Sequence, residues 1–359
     1  MPFTTENEIE EYHLQLLKNL GYHYQNGYDI QPEGSQQERE SFTDILLKDR
    51  LKNALAKLNP HIPLEAQEQA FQQITNLNSS QLLNNNQTFH KYLTEGIDIE
   101  YQQAGETRGG KVWLIDFQNP ENNEFLAVNQ FTIRENNHIR RPDIILFING
   151  IPLVVIELKN AADKKANLRA AYNQLQTYKR EIPSLFIYNT LLIISDGLQA
   201  RVGSLSANFN RFQTWKTPEL ENEENRNELE ILTNGILNKT TFLDLILHFT
   251  VFENTKNVDQ KTKIITLKLI KKIAAYHQYY AVNKAVVSIQ KAAKAKKRKG
   301  GVIWHTQGSG KSLSMVFLAG KLVLTLNNPT VVILTDRNDL DDQLFDTFAG
   351  CRQLLRQEP

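Results

Sequence analysis

The chain has 359 residues, 41% hydrophobic and 23% charged, which excludes a wholly disordered or fibrous chain and, at roughly 150 residues per domain, suggests two or three domains. Its 41 Lys and Arg offset 40 Asp and Glu, so any nucleic-acid footprint has to be local rather than global. The single cysteine, Cys351, excludes an internal disulfide framework and a Cys-rich zinc module.

The first twelve residues are polar and acidic, unlike a secretory leader, and apolar runs stay short of the roughly 18 residues of a membrane span. The expectation is a soluble cytoplasmic protein with no membrane partner. Thr5 and Glu8 read as a capping box, and Ile9, Leu16, Leu17 and Leu20 form the stripe of a first helix ended by Gly21. Further helices are predicted over 41–57 and 63–77, with an Asn/Gln-rich loop over 78–87. Strands are predicted over 111–117, 125–134, 143–147 and 153–158. A helix over 164–180 follows, with Leu168, Ala171, Leu175 and Tyr178 on one face, and then a strand over 191–195. The pattern is α/β, a mixed sheet flanked by helices. Polar stretches at 219–230 and 253–261 put a boundary within 235–260, dividing the chain into 1–245 and 246–359. Beyond it a long helix over 263–297, a strand over 302–305, a Gly-rich turn, a helix over 312–326 and a strand over 331–335 make a βαβ unit.

The most informative segment runs from Arg141-Pro142-Asp143 to Glu157-Leu158-Lys159. Glu157 and Lys159 share one strand face, and they appear abruptly after the apolar run Val154-Val155-Ile156. Charges in such a setting are costly unless paired or bound to metal. Asp143 lies on the preceding strand, across Asn149-Gly150. A regular two-residue turn would set Asp143 opposite Ile156. Both acids reach one face only through an odd-length loop or a bulge. Two carboxylates with waters and a phosphate oxygen suit Mg²⁺, and Lys159 offsets charge developing on a phosphate. That is metal-dependent phosphodiester hydrolysis. Gln174 and Tyr178, at i and i+4 on the next helix, present hydrogen-bonding groups to a phosphate backbone.

Residues 305–312, His-Thr-Gln-Gly-Ser-Gly-Lys-Ser, form a Walker A loop with His305 in place of the usual first Gly or Ala. Backbone N–H groups of Gly308, Ser309 and Gly310 cradle phosphates, Lys311 reaches the β/γ-phosphates and Ser312 ligates Mg²⁺. The basic run from Lys291 to Lys299 is a solvated helix end or a DNA-phosphate contact.

The first set of motifs resembles the PD-(D/E)xK nuclease superfamily, and Gln174-x-x-x-Tyr178 resembles the extra motif of its RecB-like branch. This implies a restriction-endonuclease-like mixed sheet, and an additional Glu from an N-terminal helix, for which Glu38 and Glu40 are the candidates. Gln278 resembles the adenine-reading glutamine of superfamily 2 helicases, and Asp336-Arg337 with Leu340 and Gln343 resembles helicase motif Ia. Taken in order, the chain is similar to the N-terminal part of the restriction (R) subunit of type I restriction enzymes. That resemblance implies an endonuclease domain at 1–245, a linker and a partial RecA-like lobe at 246–359, and the activity of a type I site-specific deoxyribonuclease (EC 3.1.21.3) on double-stranded DNA. It further implies Mg²⁺ and ATP as cofactors and methyltransferase and specificity subunits as partners. Asp143, Glu157 and Lys159 carry over as the cleavage site, with Asp143 and Glu157 as metal ligands. No Asp-Glu-x-His-like motif, later helicase motif or arginine finger follows the P-loop, so the expectation is a truncated motor that does not translocate. A non-catalytic docking or DNA-binding fragment is the alternative.

Overall fold

The computed structural model describes residues 5–103, 105–160, 167–217, 226–258, 265–295, 299–326, 329–335 and 338–355. The chain divides into two compact units, one of residues 1–215 with 219–243 and one of 216–218 with 244–359.

The first unit opens with α1 (Glu6–Asn19), whose Thr5–Glu8 capping box forms as the sequence predicts. The elements that follow are β1 (His23–Asn26), α2 (Gly27–Ile30), α3 (Lys48–Leu58), α4 (Leu64–Thr75), α5 (Leu82–Glu95), β2 (Ile97–Gln103), β3 (Glu106–Val112), β4 (Phe125–Asn129), β5 (Ile133–Glu135), β6 (His138–Arg140), β7 (Ile144–Ile148), β8 (Ile151–Leu158), α6 (Leu168–Glu181), β9 (Leu191–Ser195), β10 (Ala200–Gly203) and α7 (Glu228–Ile236). Six strands form one sheet in the order β1-β4-β7-β8-β9-β10. It is mixed: β1 is parallel to β4, β8 is parallel to β9, and the other neighbours are antiparallel. Every residue of β4, β7, β8 and β9 is buried, as expected of central strands covered on both faces.

The helix expected over 41–57 begins only at Lys48, and the strand expected over 125–134 divides into β4 and β5; two further expectations for this unit fail. Residues 82–95 are helix rather than loop. The buried residues of α5 are Asn85, Asn86, Phe89, His90, Leu93 and Thr94, so four of the six are polar. Asn86 is fully buried and donates to the carbonyls of Phe186, Ile187 and Asn189. Those bonds offset the desolvation of its amide. Of the strand expected at 111–117, only Lys111 and Val112 are strand, as the end of β3, with Val112 paired to Ile97 of β2; residues 113–117 carry none.

The second unit contains β11 (Thr250–Val258), β12 (Ile265–Ile273), α9 (Tyr276–Lys294), α10 (Lys311–Thr325), α11 (Asn338–Gly350) and α12 (Arg352–Leu355); α8 (Lys239–His248) precedes β11 in the chain. The expected long helix over 263–297 is therefore half wrong. Ile265, Leu267 and Leu269 recur at a spacing of two, the strand period, and β12 pairs antiparallel with β11 along nine residues. The segments 302–305 and 331–335 carry no strand. Val302 is 95% exposed and Leu334 90%. An apolar strand forms when neighbours pair its backbone and cover its faces, and neither happens here among the described residues.

Candidate active site

Asn149 and Gly150 have φ of 52° and 78°, the left-handed pair of a tight hairpin turn. Gly150 is required there, because a Cβ would lie 2.5 Å from the Leu47 carbonyl oxygen. The turn pairs Ile148 with Ile151 and Phe147 with Pro152. The register then shifts, and Leu146 pairs with Val154 and Ile144 with Ile156. Leu153 is the extra residue of a bulge. One step further on, Asp143 comes across from Glu157 instead of Ile156. The structure thus combines the two-residue turn with a bulge, and the bulge puts both acids on one face.

The Leu158 amide donates to Asp143 Oδ2 at 2.7 Å. Glu157 is 1% exposed. Its Oε1 accepts from Lys159 Nζ at 2.9 Å, while its Oε2 is buried with no hydrogen-bond partner among the described residues. Lys159 Nζ also donates to the Leu158 carbonyl at 2.7 Å and to Glu6 at 3.4 Å. Burial drives the Asp143 carboxyl up to about 7 against the pull of Lys159. Burial, then the neighbouring Asp143 charge, drives Glu157 up to about 8. Burial opposes the Lys159 charge, but Glu157 and Asp143 outweigh it and hold the ammonium above its ordinary range. Two desolvated acids that repel one another, one with an unpartnered oxygen, fit a divalent cation. Among the described residues no group of three or more His, Cys, Asp or Glu side chains forms a metal cage, so such an ion would complete its shell with water and substrate oxygens.

Gln174 donates to the Tyr178 hydroxyl at 3.1 Å, and that hydroxyl donates to the Arg141 carbonyl at 3.4 Å. Burial first, and then the Glu157 charge, opposes ionisation of Tyr178. The i, i+4 pair therefore stands beside the acids. The N-terminal glutamates do not match expectation. Glu38 and Glu40 lie outside any helix, and both Glu38 oxygens are held by Arg50 at 2.5 Å. It is α1 that brings glutamates to the acids. Glu6 meets Lys159, and the charges of Glu6 and Glu10 both raise Asp143. Glu10 is buried and receives hydrogen bonds from Asn129 and Gln130, each at 2.7 Å. The signal was present in the sequence, because Glu10 falls on the same helical stripe as the buried His13, Leu14 and Leu17.

In the second unit Gly308 and Gly310 adopt φ of 77° and 79°, and α10 starts at Lys311. Lys311 Nζ folds back onto the carbonyls of His305 and Thr306, at 3.1 Å each. Ser309 and Ser312 lie on the loop and first turn of the helix as the motif requires. Gln278 receives the Ala275 amide proton at 2.9 Å and donates to the Gly310 carbonyl at 3.0 Å. Its amide ties the start of α9 to the glycine loop before α10. His277 Nε2 approaches the Ser309 carbonyl at 3.0 Å. Asp336, Arg337 and residues 296–298 of the basic run lie outside the described residues.

Fold and site together define a class: a mixed α/β protein with a buried acid pair and lysine at a bulged hairpin, followed by a unit in which a Walker A-like glycine loop leads into a helix. Comparison with known families agrees. A family model described as the N terminus of the type I restriction enzyme R protein matches residues 3–211, and one described as the SWI2/SNF2 ATPase matches residues 277–358. The chain belongs to the family of type I restriction enzyme R proteins. It is 46% identical, over 99% of its length, to the HindI endonuclease subunit of Haemophilus influenzae, of which the match covers 34%. It is 35% identical, over 95% of its length, to a protein of Methanocaldococcus jannaschii provisionally named a type I restriction enzyme MjaIXP endonuclease subunit, of which 34% is covered. The SsaAORF53P endonuclease subunit of Staphylococcus saprophyticus is 29% identical over 63% of the chain, with 22% of that protein covered. The chain spans about a third of the length of the first two of these relatives. No helix among the described residues is long and apolar enough to cross a membrane.

Proposed function

We propose that the first unit is a restriction-endonuclease-like domain that cleaves double-stranded DNA in a divalent-cation-dependent reaction, and that the second belongs to a RecA-like lobe that binds ATP. In this reading the chain serves in the restriction subunit of a type I restriction–modification complex in the cytoplasm, alongside methyltransferase and specificity subunits. The observation that carries it is the Asp143–Glu157 pair, desolvated at the bulged hairpin, with Glu157 Oε2 unpartnered and Lys159 at 2.9 Å from the other oxygen.

Asp143 and Glu157 would hold a cation such as Mg²⁺, which when bound neutralises phosphate charge and acidifies water for attack. The hydrogen bond from the Leu158 amide fixes the Asp143 rotamer. Lys159 is tethered at Glu157 and offers its ammonium to the phosphate oxygens as they gain charge. Tyr178 and Gln174, mutually hydrogen-bonded, position the strand beside the acids. Glu10, held by Asn129 and Gln130, adds a third carboxylate from α1. In the second unit Gly308 to Ser312 cradle the phosphates and Lys311 leaves its carbonyl partners to meet them; Gln278 supports the loop, and to read adenine its amide would release Ala275 and Gly310.

The test is nicking of supercoiled plasmid in Mg²⁺ or Mn²⁺ by the complex assembled with the whole restriction subunit. Asp143→Ala and Lys159→Ala should each abolish nicking while ATP hydrolysis continues. Unchanged nicking in both would leave a docking role instead.

A further inference from the structure

Arg169, Arg201 and Phe209 form a cluster that the proposed chemistry does not use. The Arg169 guanidinium lies over the Phe209 ring at 4.7 Å from its centre, and the Arg201 guanidinium lies over it at 5.5 Å. Tyr172 holds the ring edge-on at 5.6 Å and is itself fixed by Phe212 at 5.3 Å. Phe209 is thus a supported plate carrying two cations. Neither arginine meets a carboxylate among the described residues. Arg201 is half-buried, and its Nε is buried with no acceptor among those residues. A buried donor without a partner is costly, and two like charges without a counter-ion add to that cost. An external anion would supply the missing counter-charge at the guanidinium groups, though not a partner for the enclosed Nε.

Sheet register says where the cluster lies. Glu157 pairs with Ile194 on β9, and Ile194 pairs with Arg201 on β10. Residues paired directly across a sheet project to the same face. Glu157, Ile194 and Arg201 therefore form one transverse row on the face that bears the acid pair. Two strand spacings of about 4.8 Å separate the backbones of Glu157 and Arg201 by ~10 Å. That is about three steps of the 3.4 Å rise per nucleotide along one DNA strand. Arginine is suited to this task, since its planar guanidinium stacks on an aromatic ring and still offers N–H donors to phosphate.

We infer that Arg169 and Arg201, braced on Phe209, grip the phosphate backbone of a DNA strand a few nucleotides from the bond facing Asp143 and Glu157. This deepens the nuclease reading and rests on it for the identity of the ligand.

The salt dependence of DNA binding tests the inference. A fluorescent duplex of about 20 base pairs is titrated with the chain in EDTA at several salt concentrations. For every phosphate left without its cation, the slope of log K against log [salt] shrinks by about 0.9. Arg169→Gln/Arg201→Gln should lower the slope by about 1.8, and Arg169→Lys/Arg201→Lys should restore most of it. If the double Gln variant melts early, the exposed Arg169→Gln alone should still lower the slope by about 0.9. An unchanged slope, or no salt-dependent binding by the parent chain, overturns the inference. The nuclease reading fails separately, if Asp143→Asn leaves plasmid nicking in Mn²⁺ intact.

Discussion

Asp143 and Leu158 are joined across the hairpin by a bond from the Leu158 amide to Asp143 Oδ2 at 2.7 Å. A backbone donor thereby closes the end of the β7–β8 ladder with a side chain. The bond would survive replacement of the carboxylate by an amide, because Asn keeps an oxygen that accepts. Asp143→Asn is therefore a change of charge with little change of shape.

That substitution should alter stability in a pH-dependent way. In the fold Asp143 is raised to about 7 and Glu157 to about 8, both above their unfolded values. Between roughly pH 4 and pH 8 the folded state holds more protons than the unfolded one, so stability falls as pH rises through this window. Asp143→Asn removes one of the repelling charges. The variant should be more stable than the parent at pH 8, by on the order of 1–3 kcal/mol, and equal to it near pH 4. Millimolar Mg²⁺ should close the gap at pH 8 by raising the parent alone. Thermal melting with and without EDTA measures this, and a variant less stable than the parent at pH 8 contradicts it.

Gly150→Ala tests the turn. The new Cβ would sit 2.5 Å from the Leu47 carbonyl oxygen and 2.8 Å from the Leu51 amide nitrogen, at a φ of 78°. Left-handed backbone costs a residue with a Cβ about 1–2 kcal/mol, and the backbone collision adds about as much again. Denaturant unfolding should show a loss of about 2–4 kcal/mol. A loss under ~1 kcal/mol would mean that the turn relaxes freely.

The parts of the molecule that the sequence made legible obey local rules. The capping box of α1, the apolar runs of β7, β8 and β9, and the stripe of α6 follow from residue type and spacing. Parity alone showed that a bulge or an odd loop was needed between Asp143 and Glu157, but not which. Choosing the bulge at Leu153 requires the tertiary fit of Gly150 against Leu47. α5 was hidden because Asn85 and Asn86 occupy its inward face, and a buried amide is apolar in location but not in composition. Glu10 is hidden for a related reason, since its partners Asn129 and Gln130 are more than a hundred residues away. In the second unit, β12 reads as helix while its lysines count as helix formers, and only the pairing with β11 decides the matter.

Lys159→Met should separate chemistry from cation binding. Lys159 contacts Glu157 and Glu6 but supplies no ligand atom to a cation. Removing the ammonium leaves Glu157 with a less compensated charge, which favours a divalent ion in its place. Mn²⁺ affinity by calorimetry should hold or rise, while DNA nicking falls by about 100-fold or more. Loss of Mn²⁺ binding together with nicking would assign Lys159 a structural task instead.

Gln278→Ala probes the phosphate loop. The Gln278 amide receives from Ala275 and donates to Gly310, and a Cβ on Gly310 would lie only 2.6 Å from Gln278 Nε2. The two groups are thus close enough for Gln278 to hold the left-handed Gly310 in place. Truncation leaves two backbone groups to find other partners and loosens the cradle before nucleotide arrives. A brace of this kind is worth about 1–2 kcal/mol, so titration with a fluorescent ATP analogue should show roughly 5- to 30-fold weaker binding. Lys311→Ala should weaken it further, because the cation itself is removed. Equal binding by Gln278→Ala and the parent would show that the loop holds its shape without help from α9.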